Sequence, residues 1–254
     1  MATIFCNGTT FTDVRGVFLD KDGTLADVAT YLARLGHIQA QLMEQQQPGT
    51  YDMTLQVLGF TADGLSASGL LAVGSRQETI AGVAAAAAMV GCPWIRAVEL
   101  ATVALSAADR QCSPKTSHTP LLPGVLGLLQ RFRKAGLKIV MVSADIQSNL
   151  ENFVDCYELS AYFDGLQGVS IEHPSKTEPS FLQQACHSLG ILPAQGLVIG
   201  DAASDFCMAQ GTKGFIGFLG GWQPPVSEQD IVCAATTALP CAFTKDVDQI
   251  QLGE

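Results

Sequence analysis

The feature that most constrains this chain is a short apolar run near the amino terminus that ends in two acidic residues. Residues 14–19 are too few for a helix of ordinary length, so they predict a buried β-strand. Asp20 and Asp22 follow at a spacing of two, which places both carboxylates on one side of an extended chain, and Gly23 allows a sharp turn. Because neighbouring carboxylates repel each other, the pattern predicts a site that holds a cation, an added proton, or both. Mg²⁺ is the expected cation, since it takes one or two carboxylates together with phosphate oxygens and water.

Two plainer interpretations of this acidic run are a calcium-binding loop and a solvent-exposed turn. The calcium loop fails on spacing, because alignment of Gly23 with the loop glycine would make Phe18 the first ligand and Ala29 the bidentate acid. A solvent-exposed turn stays open at this point, since Asp-Gly pairs are common where strands turn. The later segments of the chain decide between a turn and a site.

Alternating strands and helices in the second half of the chain predict right-handed crossovers and a mainly parallel, Rossmann-like α/β sheet with helices on both faces. Beyond the first strand, the predicted strands cover residues 138–142, 166–170, 197–200 and 215–219. Helices are predicted over residues 179–189 and from Asp145, as the amino-terminal cap, to about Tyr157. Active sites of such sheets lie at the carboxyl ends of the strands. Asp20, Ser143 and Asp201 all follow predicted strands, so we expect them to converge.

Helical spacing with few strand signals fills the region between the first strand and the rest of the sheet. The predicted helices there start near Val28 with a stop at Gly36, and cover residues 51–58, 78–90 and 95–108, with a short helix or loop over 62–73. We therefore predict an α/β core domain of residues 1–25 and 118–254, interrupted by an all-helical cap domain of residues 26–117.

Four segments, in order, resemble the motifs of the haloacid dehalogenase-like hydrolases. They are Asp-Lys-Asp-Gly-Thr-Leu at 20–25, the apolar strand that ends in Ser143, Lys176 within Ser-Lys-Thr-Glu-Pro, and Gly-Asp-Ala-Ala-Ser-Asp at 200–205. The resemblance covers about the first 25 residues and about residues 121–221. Residues 26–117 match no motif that we can assign.

The resemblance implies a Mg²⁺-dependent phosphatase that works through an aspartyl-phosphate intermediate. Asp20 would be the nucleophile, and Asp22 would be the general acid and then the general base. Mg²⁺ would lie between the Asp20 carboxylate, the main-chain carbonyl of Asp22 and Asp201. Ser143 would hold phosphate oxygens, and Lys176 would offset the charge of the nucleophile and of the phosphate.

Further residues are expected to support this set. Asp205 would orient Lys176 or a metal-bound water from outside the ligand shell. Arg76 is a cation at the start of a helix in an acidic chain, so it is a candidate for a substrate carboxylate or a second phosphate, although a solvent-exposed arginine is the plainer interpretation. The other expected substrate contacts are Gly23, Thr24 and Ala144.

The presence of an acid at position 22 separates branches of the family. Dehalogenases and phosphonatases that share the motif lack that acid, so Asp22 favours hydrolysis of a phosphate ester or anhydride. The expected partner is a small phosphorylated metabolite, phosphoglycolate-like or a sugar phosphate. A phosphosugar mutase of the same fold and a non-catalytic binding or regulatory protein stay open as alternatives.

Charge and patterning exclude other classes of function. A formal net charge of −10 disfavours nucleic acid as a partner, because phosphate backbones require a basic face. The longest uncharged stretch, between Glu78 and Arg96, is broken by Pro93 and predicts no membrane span. The eight cysteines are scattered without a C-x-x-C pair, and no signal-peptide pattern begins the chain. We expect a cytoplasmic protein that is a monomer or a homodimer.

Overall fold

The computed structural model describes residues 1–170, 175–223, 225–232 and 239–253. The chain divides into two compact units, Met1–Asp27 with Pro120–Glu254 and Val28–Thr119. We name the first the α/β unit and the second the helical unit. The division falls after Asp27 and after Thr119, where we expected it after residues 25 and 117.

Strands and helices are numbered along the described chain. The strands are β1 Ala2–Cys6, β2 Thr9–Val14, β3 Gly16–Asp20, β4 Phe60–Thr61, β5 Gly64–Leu65, β6 Lys138–Ile146, β7 Gly165–Val169, β8 Gly196–Gly200, β9 Gly214–Phe218, β10 Cys241–Thr244 and β11 Gln251–Leu252. The helices are α1 Ala29–Gln46, α2 Tyr51–Leu58, α3 Leu70–Val73, α4 Arg76–Met89, α5 Trp94–Gln111, α6 Val125–Lys134, α7 Gln147–Cys156, α8 Pro179–Leu189, α9 Ala203–Met208 and α10 Glu228–Ile231. Short 3₁₀ helices cover Lys115–His118, Pro193–Gln195 and Val247–Gln249.

A six-stranded sheet forms the centre of the α/β unit, in the spatial order β10-β9-β8-β3-β6-β7. All neighbouring strands in it are parallel, which confirms the predicted α/β class. Strands β3, β8 and β9 are buried at every position, so their sequences are continuous apolar runs rather than alternating ones.

The order of the strands fixes where a ligand can bind. From β3 the chain passes to β6 and β7 on one side of the sheet, then returns to β8, β9 and β10 on the other side. This reversal at β3 is a topological switch point, and the crevice beyond the carboxyl ends of the strands there is the usual binding place in open α/β sheets.

Most core elements lie close to their predicted positions. Helix α8 has the predicted bounds, with Pro179 in its first turn and Gly190 in the left-handed conformation at its end. The start of α7 was predicted wrongly. Strand β6 continues to Ile146 and Asp145 does not cap the helix, which begins at Gln147 with no side-chain cap.

The sequence prediction missed a three-stranded antiparallel sheet in the order β11-β1-β2. Its hairpin turns at Asn7 and Gly8, which have φ values of 42° and 82°. An Asn-Gly pair between two strands is the strongest short signal of such a turn, because both residues tolerate positive φ. The signal was therefore present in the sequence.

Four longer helices, α1, α2, α4 and α5, pack on one another in the helical unit. Its buried core is rich in alanine and includes Met43, Leu58, Val83 and Leu105. Helix α1 was predicted to stop at Gly36 but continues to Gln46. Gly36 is needed for packing instead, since a Cβ there would lie 2.5 Å from the Phe60 ring.

The remaining part of the helical unit differs from an all-helical arrangement. The segment 62–73, which was predicted as a short helix or loop, contains β5 and the one-turn helix α3, and β5 pairs with β4 just before that segment in a hairpin. Within the described residues, we find no helix whose length and hydropathy would allow it to cross a membrane.

The two connections that leave the α/β unit lie side by side within that unit. Ala26 and Leu121 form an antiparallel β-bridge. On either side of it, Asp27 N donates to Pro120 O at 2.8 Å and Leu122 N donates to Leu25 O at 2.9 Å. The chain therefore departs and returns at one point.

Candidate active site

Three buried carboxylates meet beyond the carboxyl ends of β3 and β8. Asp20 is the last residue of β3, Asp201 follows β8, and Asp205 lies in the first turn of α9. Each offers an oxygen atom within 4.8 Å of the others, and all three side chains are buried. The strand order thus brings Asp20 close to two acids that lie at least 181 positions further along the chain.

Lys176 joins two of these acids. Its ammonium group donates a short hydrogen bond to Asp20 Oδ1 and a second one, at 2.8 Å, to Asp205 Oδ1. Asp205 is held in turn by Ala202 N, which donates to its Oδ2 at 3.2 Å. Burial alone would lower the pKa of Lys176, but the charges of Asp20 and Asp205 raise it above its ordinary value. Lys176 therefore stays protonated, and Asp205 orients it.

Asp201 is hydrogen-bonded through both carboxylate oxygens. Trp222 Nε1 donates to Oδ2 at 2.6 Å, and Thr24 Oγ1 donates to Oδ1 at 3.3 Å. Burial and the negative charge of Asp205 nevertheless raise the pKa of Asp201 to about 7. Burial also raises the pKa of Asp20 well above its usual range, although Lys176 opposes this effect.

The charges of this cluster do not balance among the described residues that contact it. Three carboxylates face one ammonium group, and the pKa values of Asp20 and Asp201 are raised by burial first and by the repulsion of neighbouring carboxylates second. Converging carboxylate oxygens are the donor set that hard divalent cations prefer. The residues present therefore fit a metal ion, which would relieve the same repulsion.

Two glycines allow the loops around Asp201 to approach each other. Gly23 has a φ of +82°, and a Cβ there would lie 2.1 Å from Asp201 Oδ2 and 2.6 Å from Trp222 Nε1. A Cβ on Gly221 would lie 1.7 Å from the carbonyl oxygen of Gly23. The turn after β3 and the loop after β9 are thus in direct backbone contact, which places Trp222 against Asp201.

Asp22 lies in a second group of charges around Lys21. Lys21 Nζ is 2.5 Å from Asp22 Oδ1 and 3.0 Å from Asp145 Oδ2. The Lys21 side chain is 2 % exposed, whereas that of Asp22 is 27 % exposed. Asp22 is therefore the more accessible of the two motif acids, and Asp20 is the buried one.

The other predicted site residues fall in two places. Ser143 is buried in β6, and its Oγ accepts a hydrogen bond from Asp145 N at 3.1 Å, while the neighbouring Ala144 is exposed. Arg76 begins α4 in the helical unit, where it pairs with Asp109 at 2.9 Å. A role for Arg76 in substrate binding stays a prediction.

Sequence reasoning missed Lys21, Asp145 and Trp222. Lys21 stands between the two motif acids, and a lysine at the end of a fully buried strand is a signal that could have been noticed. Asp145 was interpreted as a helix cap. Trp222 follows Gly220 and Gly221 after β9. Its place beside Asp201 depends on the contact of that loop with Gly23, which the sequence does not report.

Comparison with known proteins agrees with this architecture. The family model described as haloacid dehalogenase-like hydrolase matches residues 14–211. A phosphoglycolate phosphatase of Shigella boydii is 27 % identical over 205 residues, which are 79 % of each chain.

Two solved structures share the fold at low identity. A Lactobacillus delbrueckii protein assigned as a phosphoglycolate phosphatase has a TM-score of 0.64 at 17 % identity, covering 92 % of this chain and 95 % of its own. A Thermotoga maritima protein assigned as a beta-phosphoglucomutase has a TM-score of 0.56 at 16 % identity, with coverages of 81 % and 85 %. Since the family match extends over more than half of its length, the chain belongs to the haloacid dehalogenase-like hydrolase family.

Proposed function

We propose that this protein is a Mg²⁺-dependent phosphatase that hydrolyses a small phosphorylated metabolite through an aspartyl-phosphate on Asp20. The observation that carries the proposal is the bridge from Lys176 to Asp20 and Asp205, with Asp201 beside it, at the switch point of the sheet. A buried carboxylate at a strand end that is fixed by an ammonium group suits nucleophilic attack on phosphorus.

In the first step, an oxygen of Asp20 forms a bond to phosphorus, and the bond from phosphorus to the leaving oxygen breaks. Asp22 gives its proton to that oxygen, so the alcohol leaves in neutral form. In the second step, water attacks phosphorus and gives a proton to Asp22, and the bond to Asp20 breaks. Inorganic phosphate is released, and both acids return to their initial states.

The remaining residues neutralise charge and hold the phosphate. Lys176 offsets the negative charge of Asp20 and of the phosphoryl oxygens as attack proceeds. Ser143 and the backbone near Ala144 and Thr24 bind those oxygens. Asp20, Asp201 and the main-chain carbonyl of Asp22 would hold Mg²⁺, which would supply further charge neutralisation.

We further propose that residues 26–117 act as the cap domain that sets specificity, with Arg76 as a candidate for the distal anion of the substrate. The Shigella boydii relative is named a phosphoglycolate phosphatase, and phosphoglycolate carries a carboxylate besides its phosphate. An arginine can bind such a carboxylate in a bidentate manner. Phosphoglycolate is therefore the first substrate to test, and sugar phosphates are the second.

The test is a screen of phosphorylated metabolites with Mg²⁺, scored for free phosphate and for isomeric products. We expect phosphate release that EDTA abolishes and Mg²⁺ restores, and that Asp20→Asn abolishes while the melting temperature stays within a few degrees. Isomer formation without phosphate release would indicate a phosphosugar mutase. Full activity of Asp20→Asn would rule out the proposed nucleophile.

A further inference from the structure

The mechanism above gives no role to Lys21, although Lys21 is a buried cation beside the proposed acid. Its side chain is 2 % exposed, and lysines are rarely buried unless they are paired. In sequence it separates Asp20 from Asp22. A buried charge at this place requires an explanation in terms of its contacts.

Lys21 is the central member of a chain of polar contacts that leads from α7 to Asp22. Asn149 Nδ2 donates to Asp145 Oδ1 at 2.8 Å, and Lys21 Nζ pairs with Asp145 Oδ2 at 3.0 Å. On its other side, the same ammonium group is 2.5 Å from Asp22 Oδ1. The ring of Phe153, one turn further along α7, lies 5.6 Å from the ammonium group, within cation–π range.

Asp145 and Phe153 hold the ammonium group of Lys21 independently of its contact with Asp22. Asp145 and Phe153 both belong to the part of the α/β unit around β6 and α7, and Phe153 is fully buried. The carboxyl group of Asp22 is partly exposed, and it can hold its contact with Lys21 only in side-chain conformations that direct it toward Nζ. The contact therefore selects among the rotamers of Asp22.

We propose that Lys21 is a positioning residue that holds the carboxyl group of Asp22 where it can serve the leaving oxygen. The inference rests on the proposed function, in which the bond from Asp20 to phosphorus forms, the bond to the leaving oxygen breaks and the proton of Asp22 goes to that oxygen. Asp145 and Asn149 hold Lys21 for this role. A misplaced Asp22 would lower the rate most for leaving groups of high pKa, since these most need a proton as they depart.

This dependence on the leaving group gives the test. For the full-length protein with Mg²⁺, kcat/KM is measured for aryl phosphates that run from p-nitrophenyl phosphate to phenyl phosphate, and its logarithm is plotted against the pKa of the leaving group. Lys21→Met removes the charge but keeps an unbranched apolar side chain against Phe153, and Lys21→Arg keeps the charge. Lys138→Met is the matched control. Lys138 also pairs with an acid, but it lies at the amino-terminal end of β6, opposite the strand ends that form the candidate site.

We expect Lys21→Met to steepen the slope. Because general acid catalysis contributes about 10²–10⁴-fold, phenyl phosphate should lose about 10²-fold in kcat/KM while p-nitrophenyl phosphate changes by less than about threefold. Lys21→Arg should restore most of the wild-type slope, and Lys138→Met should leave the slope unchanged. Asp145→Asn should steepen the slope less, and it provides the test if Lys21→Met fails to fold.

Asp22→Asn separates this inference from the proposed function. If Asp22→Asn steepens the slope and Lys21→Met does not, or if Lys21→Met lowers all substrates equally, the positioning role of Lys21 is refuted while the mechanism stands. If Asp22→Asn keeps the wild-type slope, Asp22 is not the acid and both fail. Adding Lys21→Met to Asp22→Asn should change the slope no further, since the two residues act through one group.

Discussion

Trp222→Phe tests whether the indole hydrogen bond holds Asp201 ready for a metal ion. The variant keeps an aromatic ring in a buried place but removes the N–H that donates to Asp201 Oδ2 at 2.6 Å. A hydrogen bond to a charged group contributes about 1.5–3 kcal/mol, which corresponds to about 10–100-fold in an equilibrium constant. Loss of groups that orient metal ligands typically has the same range of effect. We therefore expect Mg²⁺ affinity to fall about 10–100-fold.

The direction of this effect follows from the charge on Asp201. The indole N–H lowers the pKa of Asp201, which burial and Asp205 hold at about 7. Without that hydrogen bond the pKa rises, and near neutral pH a metal ion must displace a proton that the wild-type carboxyl group has partly lost. The difference between variant and wild type should therefore shrink as pH rises from 7 to 9.

The assay is the rise in melting temperature during a Mg²⁺ titration, since a ligand that binds only the folded state stabilises it by mass action. Trp94→Phe is the matched control, because Trp94 is an exposed residue of the helical unit. The sequence contains two tryptophans, so Trp94→Phe also leaves Trp222 as a single fluorescent reporter of metal binding. An unchanged titration midpoint in Trp222→Phe would refute the argument.

Three further predictions concern packing, stability and pH. Gly221→Ala should abolish activity and lower the melting temperature, measured by phosphate release and calorimetry, because its Cβ would lie 1.7 Å from the carbonyl oxygen of Gly23. Asp164→Ala should lower the free energy of unfolding by about 1–3 kcal/mol in urea titrations, because the buried N–H of Ile139 loses the carboxylate that accepts it at 2.9 Å. Without metal, the raised pKa of Asp201 means that the folded state binds a proton more tightly than the unfolded state between about pH 4 and 7. Stability should fall with rising pH there, by up to about 1.4 kcal/mol per pH unit, and Asp201→Asn should remove that contribution; an unchanged slope would contradict it.

Much of the parallel sheet could be predicted because its strands are continuous apolar runs separated by helical segments. Strand β8 and helix α8 carry this signal fully, and their bounds were predicted within one residue. Helix α1 was predicted too short because Gly36 was interpreted as the glycine that ends a helix. In the structure Gly36 lies inside α1, where the close contact with Phe60 requires a glycine, and no local signal reports such a contact.

The residues of the candidate site also fall into those that local sequence signals predicted and those that they did not. Asp20 and Asp201 stand at or directly after the ends of predicted strands, so the topology of a parallel sheet was enough to bring these two acids together. Ser143 follows Val142, the β6 partner of Asp20, and its contact with phosphate stays a prediction. Trp222 and Asp145 owe their places to contacts between segments that are distant in sequence, namely the loop after β9 with the turn after β3, and β6 with Lys21. Periodicity and spacing contain no information about such contacts.

The bridge between Ala26 and Leu121 has a consequence for engineering. Because backbone hydrogen bonds already join the two connections, we expect that the intervening residues 28–119 can be removed without breaking the α/β unit. A short glycine linker could replace them without distorting the α/β unit. Other domains could be inserted at the same position, beside the bridge between Ala26 and Leu121. Calorimetry of such a shortened chain would measure the thermal stability of the α/β unit alone.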